Sequence, residues 1–163
     1  MKMKDNYLIF RSAKHPLVHE LIKKIISENA NAKIYLCIQE ECVEKYKEFN
    51  DVELIIFPNG FFDYKYLNDN EVLLKQINIR QYNKIFVPYS TVEPKIDEIK
   101  KICLKLLKQN IVYLYNKEGK IQKKRIFKIS LFNNNRKIEL KNVIIKNILM
   151  ILGKYYIRRE YDR

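Results

Sequence analysis

The chain has 163 residues, 47% of them hydrophobic, and a net charge of +13. That length and apolar content exclude disorder and suit one domain with a real core. The charge is uneven: from Lys117 onward there are 14 Lys/Arg against 4 Asp/Glu, and before it 18 against 15. The basic character thus belongs to the last third. A composition rich in Lys, Ile, Asn and Tyr accounts for the same charge without any partner.

Three cysteines, Cys37, Cys42 and Cys103, have no disulfide-framework spacing. They read as reduced, mostly buried thiols of a cytoplasmic protein. The first residues, MKMKDNYLIFRS, lack the apolar core of a signal peptide. No run reaches the roughly 18 uninterrupted apolar residues that a spanning helix needs.

Taken in order, Tyr7 to Phe10 predicts a first strand, and Arg11 to His15 a polar loop. Pro16 suits a helix start, where its missing N–H costs nothing. Leu17, Leu21, Ile22, Ile25 and Ile26 continue that helix at helical spacing, and Asn29-Ala30-Asn31 ends it. Lys33 to Gln39 predicts a second strand and Glu40 to Phe49 a short helix with acids at its start. Val52 to Phe57 predicts a third strand, stopped by Pro58-Asn59-Gly60. Phe61 to Asn68 is an aromatic loop, and Asn70 to Gln81 a helix.

Asn83 to Thr91 carries the buried run Ile85-Phe86-Val87 and predicts the fourth, central strand. Val92 to Gln109 predicts a helix with Val92, Ile96, Ile99, Cys103, Leu106 and Leu107 on one stripe. Ile111 to Tyr115 is a fifth strand, and Asn116 to Gly119 a turn. Beyond it the alternation breaks. Ile126 to Phe132 predicts an antiparallel edge strand, Asn133 to Asn135 a loop, and Glu139 to about Ile157 a long apolar helix.

Five β/α alternations predict a Rossmann-like three-layer α/β sandwich with a mainly parallel sheet, most simply of order 3-2-1-4-5. Residues 1–116 would be its core. Residues 117–163 would add the basic edge strand and the C-terminal helix to the same single domain. Open parallel sheets bind ligands at the carboxyl ends of their strands. Arg11, Ser12, Gln39, Glu40, Asn59, Tyr89, Ser90, Thr91 and Asn116 should gather there. Arg11, Ser12, Tyr89, Ser90 and Thr91 flank the switch point and are the expected ligand-binding residues.

Neither G-x-G-x-x-G nor G-x-x-x-x-G-K-[ST] occurs, and the only glycines are Gly60, Gly119 and Gly153. Close backbone approach to a pyrophosphate, as in dinucleotide dehydrogenases and P-loop enzymes, is thereby excluded. No cofactor is implied. A plain helix start beside Arg11, Ser12 and Lys14 could hold an anion, or be a solvated loop.

His15 and His19 are four apart, but no third ligand lies nearby, so a cap and a surface residue are expected rather than a metal site. Ser90 has only those two histidines to activate it, a poor basis for a hydrolase, and no catalytic residue is assigned. Phe61, Phe62, Tyr64 and Tyr66 either stack on a sugar or base or cover the core edge. Lys123-Lys124-Arg125 could meet phosphates, though no recognition helix accompanies it.

From Lys33 to Asn116, the runs KIYLCIQEECVEKY, VELIIFPNG, LLKQINIRQYNKIFVPYST and NIVYLYN resemble the N-terminal half of a GT-B glycosyltransferase. The likeness is to the heptosyltransferases of glycosyltransferase family nine, and it covers about two-thirds of the chain. It implies a Rossmann-like, acceptor-facing domain linked to cell-surface polysaccharide biosynthesis. It also implies a donor-binding second domain, for which the chain after Asn116 has no room. The expectation is an incomplete enzyme that relies on a partner carrying the donor-binding domain. The alternative is a non-enzymatic module that binds nucleic acid or an anionic surface through its basic last third.

At about 100° per residue, Asn142, Lys146 and Gly153 share a narrow arc of the last helix. Ile144, Ile145, Ile148, Leu149, Ile151, Leu152, Tyr155 and Tyr156 fill the opposite face. So wide an apolar face has to be buried. Packing on its own sheet is expected. A homodimer interface and peripheral contact with the inner membrane face, aided by Lys154, Arg158, Arg159 and Arg163, are the alternatives.

Overall fold

A computed structural model describes residues 5–90 and 96–126. The chain divides between residues 127 and 128, and all described residues lie in the first unit. Thr91, the segment through residue 95, the loop 133–135 and the long C-terminal helix expected from Glu139 lie outside the described residues.

Six strands form one sheet: β1 (Asn6–Phe10), β2 (Lys33–Gln39), β3 (Val52–Phe57), β4 (Lys84–Tyr89), β5 (Ile111–Asn116) and β6 (Ile121–Arg125). Their order is β3-β2-β1-β4-β5-β6. The first five are parallel, and β6 pairs antiparallel with β5. The central strands are buried on both faces, which is why they read as unbroken apolar runs.

One face carries Ile9, Ile34, Leu36, Ile38 and Phe86 against α1 (His15–Glu28), which supplies Val18, Leu21 and Ile22. The opposite face carries Leu8, Phe10, Tyr35, Cys37, Ile85, Val87 and Leu114. It is covered by α2 (Tyr64–Asp69), α3 (Glu71–Asn78) and α4 (Asp97–Lys101) with the π-helical stretch Ile102–Leu106 that continues it. Each such fully buried side chain is worth roughly 1.5–3 kcal/mol over leaving it exposed. All three cysteines are free and buried, and burial pushes the Cys37 thiol well above its ordinary range.

Several expectations need correction. The observed strand order differs from the expected one in its sixth member. The strand expected over Ile126–Phe132 lies, beyond Ile126, outside the described residues, and the edge strand among the described residues is Ile121–Arg125. The reason is a tight turn: the Asn116 side-chain oxygen accepts N–H bonds from Glu118 (3.1 Å) and Lys120 (2.9 Å). Gly119 takes the left-handed φ of +72° that the turn requires. The chain thus re-enters the sheet at once.

The aromatic stretch is no plain loop. Its second half is α2, and the helix expected over 70–81 is α3, ending at Asn78. Two capping side chains set these limits. Asp63 accepts the Tyr66 N–H (2.8 Å) and Asn70 accepts the Leu73 N–H (3.0 Å), so the helix stops and restarts at Asn70. The turn after β2 is a 3-10 helix, Glu40–Tyr46. The helix before β5 ends early, with Lys108 at a φ of +54°. No helix among the described residues is long and apolar enough to cross a membrane.

Candidate functional site at the carboxyl edge

Parallel pairing brings the last residues of β1, β2, β3, β4 and β5 to one edge of the sheet. Arg11 and Ser12 follow β1, Glu40 follows β2, Asn59 lies beyond β3, and Ser90 follows β4.

Arg11 is built into this edge. Its backbone N–H donates to the Cys37 carbonyl (2.9 Å), which carries the β1–β2 ladder one residue past the strand. Its Nε–H donates to Gln39 Oε1 (2.6 Å). Gln39 is 2% exposed, the one buried polar side chain among the described residues. A buried amide needs a partner, and here that partner fixes the guanidinium plane. The terminal nitrogens of Arg11 find no acceptor among the described residues.

Ser12 sits on the other side of β1. Its hydroxyl donates to the Pro88 carbonyl (2.6 Å), with the Phe10 carbonyl at 3.3 Å. The hydroxyl proton therefore pins the loop after β1 to the end of β4, and its lone pairs remain for a ligand. Tyr89 is half-buried against the core face that carries Val87, while Ser90 is exposed. Of the five expected ligand residues, Arg11, Ser12 and Ser90 thus share the edge, Tyr89 leans into the core, and Thr91 lies outside the described residues.

Asn59 and Asn116 serve structure. Asn59 accepts the Glu41 N–H (2.9 Å), tying the loops after β2 and β3 together. Asn116 holds the β5–β6 turn as described.

The two histidines of α1 do not converge on a third ligand. His15 Nδ1 lies 3.1 Å from the Tyr46 hydroxyl. His19 Nδ1 lies 3.2 Å from Glu48, and its ring meets Tyr46 and Phe49 edge-on. No group of three His, Cys, Asp or Glu that could hold a metal occurs among the described residues. Burial lowers the His15 pKa, and the nearby Lys45 and Arg11 lower it further. Two cations, Lys45 and Arg11, thus lie near the His15 ring.

Two features of this edge were not expected from the sequence. One is the Gln39 brace. The other is the split between Phe61 and Phe62. Gly60, at a φ of +110°, turns the chain so that Phe62 enters the core. Phe62 packs edge-on against Phe10 (5.2 Å) and Phe57 (5.0 Å). Phe61 is 99% exposed just beyond the carboxyl end of β3. A free aromatic face beside a polar edge is the arrangement that stacks on sugars and bases. Only the PNGFF turn signal, read with the core's demand for one ring, could have pointed to it.

A surface concavity lies elsewhere. It is an open dish of about 710 Å³ over α2 and the start of α3, lined by Asp63, Lys65, Tyr66 and Glu71 among others. None of its polar groups is buried, and Asp63 and Asn70 are spent on helix caps, so the carboxyl edge is the better candidate. No protein family's sequence profile matches the chain, and no curated protein or solved structure matches it.

Proposed function

We propose that this is a glycosyltransferase-like domain whose carboxyl edge binds a small polar, sugar-containing ligand on the acceptor side of a transfer reaction. The observation that carries the reading is the joint placement of a braced Arg11, the polar Ser12 and Ser90, and the exposed Phe61 along the ligand edge of a Rossmann-like sheet. The resemblance of residues 33–116 to the family-nine glycosyltransferases supports the sugar class. It rests on the pattern of strands and helices. In this reading donor binding comes from a partner, and the work belongs to cell-surface polysaccharide assembly at the cytoplasmic side.

The test is calorimetric titration with a panel of saccharides. For any saccharide that binds, Phe61→Ala should weaken affinity by about three- to tenfold, the worth of one stacked ring. Stability should not change, because that ring touches no core. The Ser12→Ala/Ser90→Ala pair should also weaken binding. It should lower stability by about 1 kcal/mol through the lost Ser12–Pro88 hydrogen bond. Unchanged affinity in both variants removes the assignment.

A second reading rests on β6, where Lys123, Lys124 and Arg125 are all exposed on the sheet's edge strand. Cations there also keep an open edge from pairing with another chain. If β6 binds nucleic acid or an anionic surface, affinity should fall steeply with salt and be lost in Lys123→Gln/Lys124→Gln.

A further inference from the structure

We propose that the guanidinium of Arg11, braced by Gln39 and flanked by Lys14 and Lys45, holds a phosphoryl group of the ligand at the carboxyl edge. The inference rests on the ligand-site reading above and adds its chemical class, a phosphorylated sugar.

Three observations carry it. The first is the brace. With Nε engaged by a buried amide, the Arg11 fork loses little freedom on binding, and its terminal nitrogens have no acceptor among the described residues. A planar, fixed fork is what bidentate contact to phosphate oxygens needs.

The second is the missing counter-charge. Lys24, Lys33, Lys47, Lys75, Arg80, Lys100, Lys101 and Lys120 each pair with a carboxylate within 4.0 Å. Among the described residues Arg11, Lys14 and Lys45 have no such partner, as other surface cations do not, but these three follow β1 and β2 at the carboxyl edge. His15 Nδ1 lies 3.1 Å from the Tyr46 hydroxyl, which brings the start of α1, next to Lys14, beside the segment that carries Lys45. Gathering cations without an internal anion is costly unless an external one completes the set.

The third is α1, a helix of 14 residues that starts at this cluster. Its first turn holds no acidic side chain, and Lys14 at its cap makes no side-chain capping bond. The positive end of the helix dipole therefore adds to the cations. Three cations and a helix end suit a dianionic phosphoryl group better than a single carboxylate.

The experiment is an NMR titration of the full chain with inorganic pyrophosphate at fixed ionic strength, following backbone amides and the Arg11 Nε–H signal. Saturable shifts are expected at Arg11, at Lys14, His15 and Leu17, and at Lys45. Arg11→Gln should weaken binding by about tenfold or more, the worth of a charge-assisted hydrogen bond. Arg11→Lys, which keeps the charge and loses the fork, should fall between. Lys123→Gln/Lys124→Gln should leave the titration unchanged. Shifts centred on β6, or an Arg11→Gln variant that titrates like the parent, would overturn the proposal. A neutral methyl glycoside run in parallel separates the two claims. If it perturbs the edge while pyrophosphate does not, the phosphoryl clamp falls and the sugar site stands. If neither perturbs the edge, both fall.

Discussion

Phe10→Ala is expected to lower folding stability by about 3–5 kcal/mol, the cost of deleting a large ring from a closed core. Phe10 is fully buried at the carboxyl end of the central strand β1. Its ring meets Phe62 edge-on, and Phe62 in turn meets Phe57 at the end of β3. These three rings fasten the segment after Gly60 over the end of the sheet. The cavity would therefore do two things. It would destabilise the fold, and it would release the segment that carries Phe61. Urea unfolding measures the first. Amide exchange over residues 60–67 measures the second, and it should quicken more than exchange in α1, which packs on the other face. Equal quickening everywhere would mean that the rings do not anchor this segment.

The second large effect is alkaline unfolding. Tyr46, Tyr82 and Tyr115 are buried, and burial raises the pKa of each above the ordinary tyrosine value near 10. The fold thus favours the neutral phenol. Its contribution is whole below pH 10 and is lost as the pH climbs, because the unfolded chain releases these protons first. Tyr115 carries the least of this: its ring is buried, but its hydroxyl donates to Glu20 (2.6 Å), an exposed residue. For Tyr46 and Tyr82 the loss is up to about 1.4 kcal/mol per pH unit above 10 for each. Tyr82 has a further tie, donating to the Ile77 carbonyl (2.7 Å).

Lysines held by carboxylates, such as Lys33 and Lys101, have raised pKa values and push in the same direction. Phenylalanine variants separate the two sources. In Tyr46→Phe the fall in stability between pH 10 and 11.5 should be visibly shallower than in the parent, by urea unfolding at each pH. An identical slope would assign the alkaline loss to lysines and leave the buried phenols without a role.

The sheet was legible because its strands are buried on both faces. Runs such as YLIF, KIYLCIQ and KIFVPY have no polar alternation to obscure them, and punctuation by Pro58-Asn59-Gly60 and Asn110 marks their limits. The strand Ile121–Arg125 was missed because IQKKR is exposed throughout and carries no periodic signal. Its position is decided by the Asn116 side chain and the φ of Gly119, features of one turn rather than of a pattern. The short helix α2 was hidden for a similar reason. Its start is set by the Asp63 cap, and an aspartate beside aromatic residues looks like any other loop position.

The site shows the same division. Topology alone placed Arg11, Ser12 and Ser90 at one edge. What fixes Arg11 is Gln39, a residue at the end of an apolar strand, and its burial follows only from three dimensions. Nor could periodicity say which ring of Phe61-Phe62 goes in. The conformation of Gly60 decides that.

The most direct test of the ligand edge is a crystal structure of the chain soaked with the saccharide that binds it best. The account predicts density beside the Arg11 guanidinium, with the sugar reaching toward Phe61 and the Ser12 and Ser90 hydroxyls within hydrogen-bond distance. Density confined to β6, or to the dish formed by Asp63, Tyr66 and Glu71, with the carboxyl edge empty, would contradict it.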